Sequence, residues 1–254
     1  MESKVTVLLY HHVGEPLPGS WPYLSTSASG FVKQMEWLRA KGYRSITLFD
    51  LSNFLRNKTP LPERTVLISF DDAFADCMTQ AFPAILSAGF SAVVFVPTLH
   101  LGGTNAWDEK SGFAHTYPLM TVEHIREWSQ RGIEFGSHSR THADLCKLPE
   151  SELEKEIAGS RDDLQQILGK EVVAFAYPRG RMNDDVCRHV SKSYLLGFST
   201  ESGRNSADSN PFALRRTQPL PDESNFMFGI RVKHGWAPRD WQDWRPGRKS
   251  TMLD

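Results

Sequence analysis

The stretch SFDDAF, residues 69–74, sets two aspartates side by side directly after the apolar run at residues 65–68. Adjacent carboxylates repel each other, and neither is cheap to hold at the end of a buried strand. Keeping both Asp71 and Asp72 there calls for compensation. Two readings are open. Asp72 binds a cation, which also favours an ionised Asp71 beside it, free to hydrogen-bond a water. Alternatively, Asp72 caps the helix that follows and Asp71 pairs with a basic residue.

The histidines of GSHSRTH bear on that choice. His138 and His142 stand four apart, a spacing that lets two imidazoles face one ion from a turn or helix. Residue 139 is serine, so the HExxH pattern is excluded. Such a pair alone is more often surface or capping chemistry. Adding an aspartate from another strand end gives His₂Asp with open positions, the pattern of a catalytic rather than a closed structural metal site.

These residues need strands to deliver them to one place. Short apolar runs at residues 5–10, 66–70, 92–96, 133–136, 172–177 and 195–199 read as strands, the last of them closing the series. Helical patterns at 31–40, 75–88, 121–130, 149–168 and 183–190 alternate with them, with Ser29 and Asn183 as caps and Gly42, Gly89 and Gly169 as stops. Alternation of this kind predicts repeated βα units arranged as an α/β barrel. Four polar clusters, YHHV, FDD, GSHSRTH and AYPRG, fall at the downstream ends of strands. In βα barrels that rim is where loops converge and chemistry happens.

The bulk numbers agree with one such barrel. The chain has 254 residues, with 29 basic against 30 acidic side chains, so no electrostatic footprint points to nucleic acid or an anionic membrane surface. No apolar run reaches the length of a membrane span, and the periodic pattern starts within a few residues of Met1, so a secretory leader is not expected. Cys77, Cys146 and Cys187 are odd in number and form no CxxC, which predicts free thiols in a reducing compartment. A cytoplasmic location is the expectation. Oligomeric state is not legible. Two long loops, residues 11–29 and 99–120, interrupt the units. From residue 219 onward the pattern dissolves into a polar tail with interspersed tryptophans.

On these motifs the chain resembles the polysaccharide deacetylases of carbohydrate esterase family 4, which carry the NodB-homology fold. SFDDA stands where that family usually has TFDDG, HSRTH matches H-[ST]-x-x-H, and YPRG stands where it often has YPYG or RxPY. YHHV, GYRSITLFDL, the LP before the FDD strand and LGKEVVAFAYP resemble the branch that includes deacetylases of poly-N-acetylglucosamine. The likeness spans residues 5–219. It implies an irregular (β/α)7-type barrel as a single domain over residues 1–219, with 220–254 as a C-terminal extension packed on it or partly flexible.

The resemblance also implies roles. Asp71 would be the general base, and Asp72, His138 and His142 the ligands of a divalent metal ion, zinc foremost. His11 would be the general acid. A C-terminal Leu-x-x-His supplies that acid elsewhere in the family, but here the residue three before His234 is Arg231. The implied reaction is removal of an N-acetyl group from an amino sugar in a glycan or glycan precursor. Tyr177, Pro178 and Arg179 would line the substrate, with the Arg179 N–H facing the oxyanion. Departures from the family pattern are Ala73 for glycine, Ala176 where some members carry an arginine that pairs with the base, and Arg179 for an aromatic. The Arg179 guanidinium is expected to face solvent, to pair with Asp71, or to bind an anionic group on the substrate.

His12 should point away from His11 and serve packing. Asp144, His115, His124 and His189 have no motif behind them. Trp236, Trp241 and Trp244 either stack on sugar rings or cover the barrel. Two other functions fit the same residues: an amidase of small acetylated or formylated compounds, and a silent sugar-binding relative whose site has drifted.

Overall fold

The computed structural model describes residues 3–15, 24–111, 116–221 and 223–236. Its strands are β1 (Lys4–Tyr10), β2 (His12–Val13), β3 (Ser25–Thr26), β4 (Arg44–Ser45), β5 (Thr65–Phe70), β6 (Val93–Val96), β7 (Glu134–Ser137), β8 (Ala174–Ala176), β9 (Leu196–Phe198) and β10 (Asn205–Ser206). The helices are α1 (Ala28–Ala40), α2 (Leu48–Arg56), α3 (Cys77–Gln80), α4 (Phe82–Ser87), α5 (Val122–Gln130), α6 (Glu150–Leu168), α7 (Asp184–Ser193) and α8 (Asn225–His234).

One curled sheet runs in the order β10-β1-β5-β6-β7-β8-β9, with β4 added at the foot of β5. Its pairings are parallel except at β1–β10. Between β9 and β1 the ring is completed by the segment 214–217, where Leu214 bridges Phe198 and Thr217 bridges Leu8. Thr217 donates its N–H to Val7 at 2.7 Å, and Leu9 donates back to Thr217 at 3.0 Å. The result is a curled, parallel-dominated half-barrel, irregular as the resemblance implies. None of the helices among the described residues is long and apolar enough to cross a membrane.

Alternation along each strand makes two cores. Leu8, Ile68, Phe70, Val94 and Phe175 face outward and pack under Phe31 and Met35 of α1, Ile157 and Leu164 of α6, and Val186 and Val190 of α7. Val7, Leu67, Val93, Phe95, Ala174 and Phe198 face inward and meet Leu48, Leu51 and Phe54 of α2, which plugs the lower end. Each such side chain fully removed from water contributes about 2 kcal/mol. The upper end is left to polar groups.

Four local readings are corrected. The helix expected over residues 75–88 breaks at Ala81 into α3 and α4, because Pro83 lacks an N–H and belongs in a first helical turn. The cap of α1 is Ser27, whose hydroxyl accepts from the Gly30 N–H at 3.1 Å, not Ser29. Leu196–Phe198 is not the last strand, since β10 follows and pairs with β1. Within the stretch read as unpatterned, α8 forms and docks firmly. Phe228 is fully buried with its ring edge-on to Trp37 at 5.4 Å, and Thr6 Oγ donates to Val232 at 2.7 Å.

Candidate active site

Asp71 continues the inward series of β5 that contains Leu67 and Ser69, and its N–H extends the ladder by donating to Tyr10 at 3.0 Å. The chain then turns sharply. Asp72 and Ala73 both take left-handed backbone, with φ of 72° and 56°. For an L-residue that conformation costs about 1–2 kcal/mol, which explains why glycine is the natural occupant of position 73. The strain points Asp72 back over the barrel mouth, and Met120 ties the turn down by donating to Ala73 at 2.9 Å. Asp72 caps no helix; α3 begins after Asp76.

The histidines arrive from the end of β7. His138 Nδ1 lies 2.8 Å from the Ala176 carbonyl, and an N–H there leaves the Nε2 lone pair facing the site. Ser139 and His142 also adopt left-handed backbone, at φ 62° and 57°. The His142 ring stacks on Trp107 with centroids 4.5 Å apart. Burial depresses the pKa of both imidazoles, His142 strongly so, and His138 and Arg179 add to the effect at His142. Both rings are therefore neutral, the state a metal ligand needs.

Asp72 Oδ1 is 3.5 Å from His138 Nε2 and 3.4 Å from His142 Nε2. One ligand atom from each of the three residues lies within 4.8 Å of the others, and all three residues are buried. Ligand atoms about 2.1 Å from a tetrahedral ion stand roughly 3.4 Å apart, so the spacing suits a small divalent cation. Asp72 Oδ1 and His142 Nδ1 are buried without a hydrogen-bond partner. Burial, then the charges of Asp71 and Asp108, push the Asp72 carboxyl well above the usual carboxylate range. An acceptor so placed is unfavourable alone and is satisfied by a cation. The donor set fits the expected metal.

Asp71 does pair with a basic residue, and that residue is Arg216. Its two terminal nitrogens reach Asp71 Oδ1 and Oδ2 at 2.6 and 2.7 Å, while Nε donates to the Ser199 carbonyl at 2.8 Å. Both side chains are almost fully buried. Burial alone would raise the Asp71 carboxyl, but Arg216, helped by His138 and His11, brings it down to about 2. Asp71 is ionised throughout the physiological range. The opening reading in which Asp71 pairs with a basic residue thus holds, while Asp72 caps no helix and stands in the cluster that could hold a cation. Arg216 was missed because it sits in segment 214–217, which is not a strand; the signal available was only that a buried carboxylate needs a partner.

His11 extends the inward series of β1, and its Nδ1 is buried without a partner. Burial lowers its pKa to about 4 against the opposing pull of the Asp71 charge. Arg179, expected to pair with Asp71 among other roles, instead lies 3.8 Å from Asp108 across the mouth. Its backbone is left-handed at φ 56°, and the turn's hydrogen bonds run from Gly180 to Tyr177 and Arg181 to Pro178, leaving the Arg179 N–H out of them. Gly180 is required here, because a Cβ would stand 2.0 Å from Thr200 Oγ. The Tyr177 side chain does not line a substrate site. It is fully buried in the outer core, with its hydroxyl donating to Phe212 at 2.8 Å. Pro178 is likewise buried and fixes the turn.

The remaining candidates have structural partners. His12 pairs with Asp76 at 2.7 Å and packs on Tyr117. His124 completes the capping box of α5 with Thr121. Asp144 holds Arg181 at 2.6 Å, and His189 lies 3.7 Å from Glu150. Trp236 is 48% exposed beyond α8. His115, Trp241 and Trp244 lie outside the described residues.

Comparison with known proteins places this geometry. A poly-beta-1,6-N-acetyl-D-glucosamine N-deacetylase of Staphylococcus aureus is 27% identical over 226 residues, covering 85% of this chain and 74% of that protein. The Streptococcus pyogenes deacetylase PplD in complex with acetate superposes with a TM-score of 0.79 at 24% identity, over 91% of this chain and 99% of that one. IcaB from Ammonifex degensii gives 0.74 at 23% identity, over 86% and 93%. Both structures share this half-barrel. The family model for polysaccharide deacetylases matches residues 58–196, a span running from just before β5 to the start of β9. That span exceeds half of the chain and includes Asp71, Asp72, His138 and His142, so the chain belongs to the polysaccharide deacetylase family.

Proposed function

We propose that this protein is a metal-dependent N-deacetylase acting on an N-acetylated amino sugar in a glycan or glycan precursor. One observation carries the reading: a buried Asp72–His138–His142 triangle with an orphaned carboxylate oxygen lies beside the separately ionised Asp71. The likeness to the staphylococcal deacetylase supports a poly-N-acetylglucosamine type of substrate. When bound, a divalent ion, zinc by donor type, polarises an amide carbonyl and acidifies water.

The chain's own residues do the rest. Asp71 Oδ2, 3.9 Å from His138 Nε2, is the oxygen turned toward the cluster and takes the proton from the attacking water. Arg216 holds that carboxylate by two hydrogen bonds, so it neither rotates nor protonates before the reaction. The Arg179 N–H donates to the developing oxyanion; a donor of this kind typically lowers a barrier by about 3 kcal/mol. An amine leaves poorly without a proton. His11 supplies it as imidazolium: negative charge developing beside the buried imidazole raises its proton affinity, so it takes up a proton from solvent and passes that proton to the departing nitrogen as the C–N bond breaks. Arg179 has Asp108 for a partner, so the mouth carries a matched pair rather than a free cation, which suits a neutral sugar.

The test is acetate release by zinc-loaded protein from N-acetylated β-1,6- and β-1,4-glucosamine oligosaccharides and from small acetamides. Release from sugars, with Asp71→Asn lowering kcat by about 10²–10⁴-fold, is the expected outcome. Release only from the small acetamides would assign the amidase function instead. Sugar binding without any acetate release, in protein holding one metal per chain, would assign a binding module.

A further inference from the structure

The turn that carries His142 is held in its strained shape by one face of α6. Glu156 Oε2 accepts from the Arg140 and Thr141 N–H groups, both at 2.9 Å, and Oε1 accepts from Thr141 Oγ at 2.8 Å. Two turns further, Asp163 accepts from Arg140 Nε at 2.8 Å and from Thr98 Oγ at 2.7 Å. Between them Gly159 leaves room for the Arg140 stem; a Cβ there would stand 2.9 Å from Arg140 Cδ. Glu156, Gly159 and Asp163 are spaced three and four apart, so they share one helix face. From the other side, Thr98 and Leu99 donate to the Ser139 and Arg140 carbonyls at 3.2 and 2.9 Å.

We infer that Glu156 is a positioning residue for the metal ligand His142. Two consecutive N–H groups aimed at one carboxylate do not form in a relaxed extended segment; they need the folded turn flanked by left-handed Ser139 and His142. His142 gains little orientation from its own Nδ1, which is buried without a partner, unlike His138 with its Ala176 carbonyl. The backbone must therefore do for His142 what a hydrogen bond to the ring does for His138. Glu156 supplies that restraint without touching metal or substrate. The inference rests on the proposed metal-dependent function, because the orientation it preserves matters only to a bound ion.

The test measures zinc affinity by calorimetry, independently of turnover, for wild type, Glu156→Ala, Glu156→Gln and the control Glu152→Ala on the same helix. Losing a group that orients a metal ligand typically costs 10–100-fold in affinity. Glu156→Ala is expected to bind zinc at least tenfold more weakly. Glu156→Gln, which keeps an oxygen for the two N–H groups, should recover most of that loss. Glu152→Ala should match wild type. Zinc titrations are run on variants whose circular dichroism shows native secondary structure; should Glu156→Ala not fold, Thr141→Val removes the third bond alone and should weaken binding by a few-fold. Wild-type affinity in the folded variants would overturn the inference and leave the deacetylase reading standing. A wild-type protein that binds no divalent ion would sink both.

Discussion

At the scale of single residues, the Asp71–Arg216 pair is a large local commitment. Both groups are charged, both are almost wholly buried, and they lie 145 residues apart in sequence. Breaking a buried pair by removing one partner typically costs 3–5 kcal/mol, because the survivor is left as an uncompensated charge. Arg216→Met should therefore destabilise the fold by about 3 kcal/mol in urea titrations. The double variant Asp71→Asn with Arg216→Met, which removes both charges, should regain most of the loss. The sign with pH follows from the same pair. Asp71 titrates lower in the folded state, at about 2, than its ordinary 3.8. Its contribution is fully present above pH 4 and fades as pH falls toward 2. From near equality at neutral pH, wild type should thus lose stability relative to the double variant as pH falls below 4; a gap constant with pH would mean that the pair is not ionised.

At the scale of elements, α8 behaves as part of the barrel. Its Val232 carbonyl accepts from Thr6 on β1, and Gly235 just past its end accepts from Thr217 Oγ at 2.7 Å in the closing segment. Phe228 fills the space beside Trp37, and Gly229 lets that ring approach, since a Cβ would stand 2.7 Å from it. Phe228→Ala should cost about 3–5 kcal/mol in equilibrium unfolding; a loss under 1 kcal/mol would show that the helix is peripheral. The sequence hid this helix because its apolar residues surround it rather than forming one stripe. The parallel strands were legible, since a strand buried on both faces is a short unbroken apolar run. The polar groups at their ends, Asp71, Asp72, His138 and His142, were legible for the same reason: they interrupt those runs. Arg216 and Glu156 were not, because each acts through tertiary contact from a segment whose local pattern says nothing of its partner. Thr47 and Asp50, the capping box that opens α2, could have been read directly.

At the scale of the whole molecule, the mouth gathers its parts from distant units. Asp71 and Asp72 come from β5, the histidines from the turn after β7, Arg216 from the segment joining β9 to β1, and Arg179 from the turn after β8. Five of the described non-glycine residues with left-handed backbone, Asp72, Ala73, Ser139, His142 and Arg179, lie at this mouth. Strain of this density persists only when the surrounding structure over-determines it. A cation held by Asp72, His138 and His142 would tie the turn after β5 to the turn after β7, so its binding energy would be available to the fold as a whole. A ligand that binds only the folded state stabilises it by about 2.7 kcal/mol at a concentration one hundred times its Kd. For a chain of this size that corresponds to a rise in Tm of roughly 5–10 °C. Zinc added to chelator-stripped protein should produce that rise, and chelator should reverse it. His138→Ala and Asp72→Asn should show no rise, because each removes a ligand. Asp72→Asn should also be more stable than wild type when metal is absent, since it removes a buried carboxylate that has no hydrogen-bond partner for Oδ1. A zinc-induced shift that survives both substitutions would place the ion elsewhere and remove the basis for assigning it to this mouth.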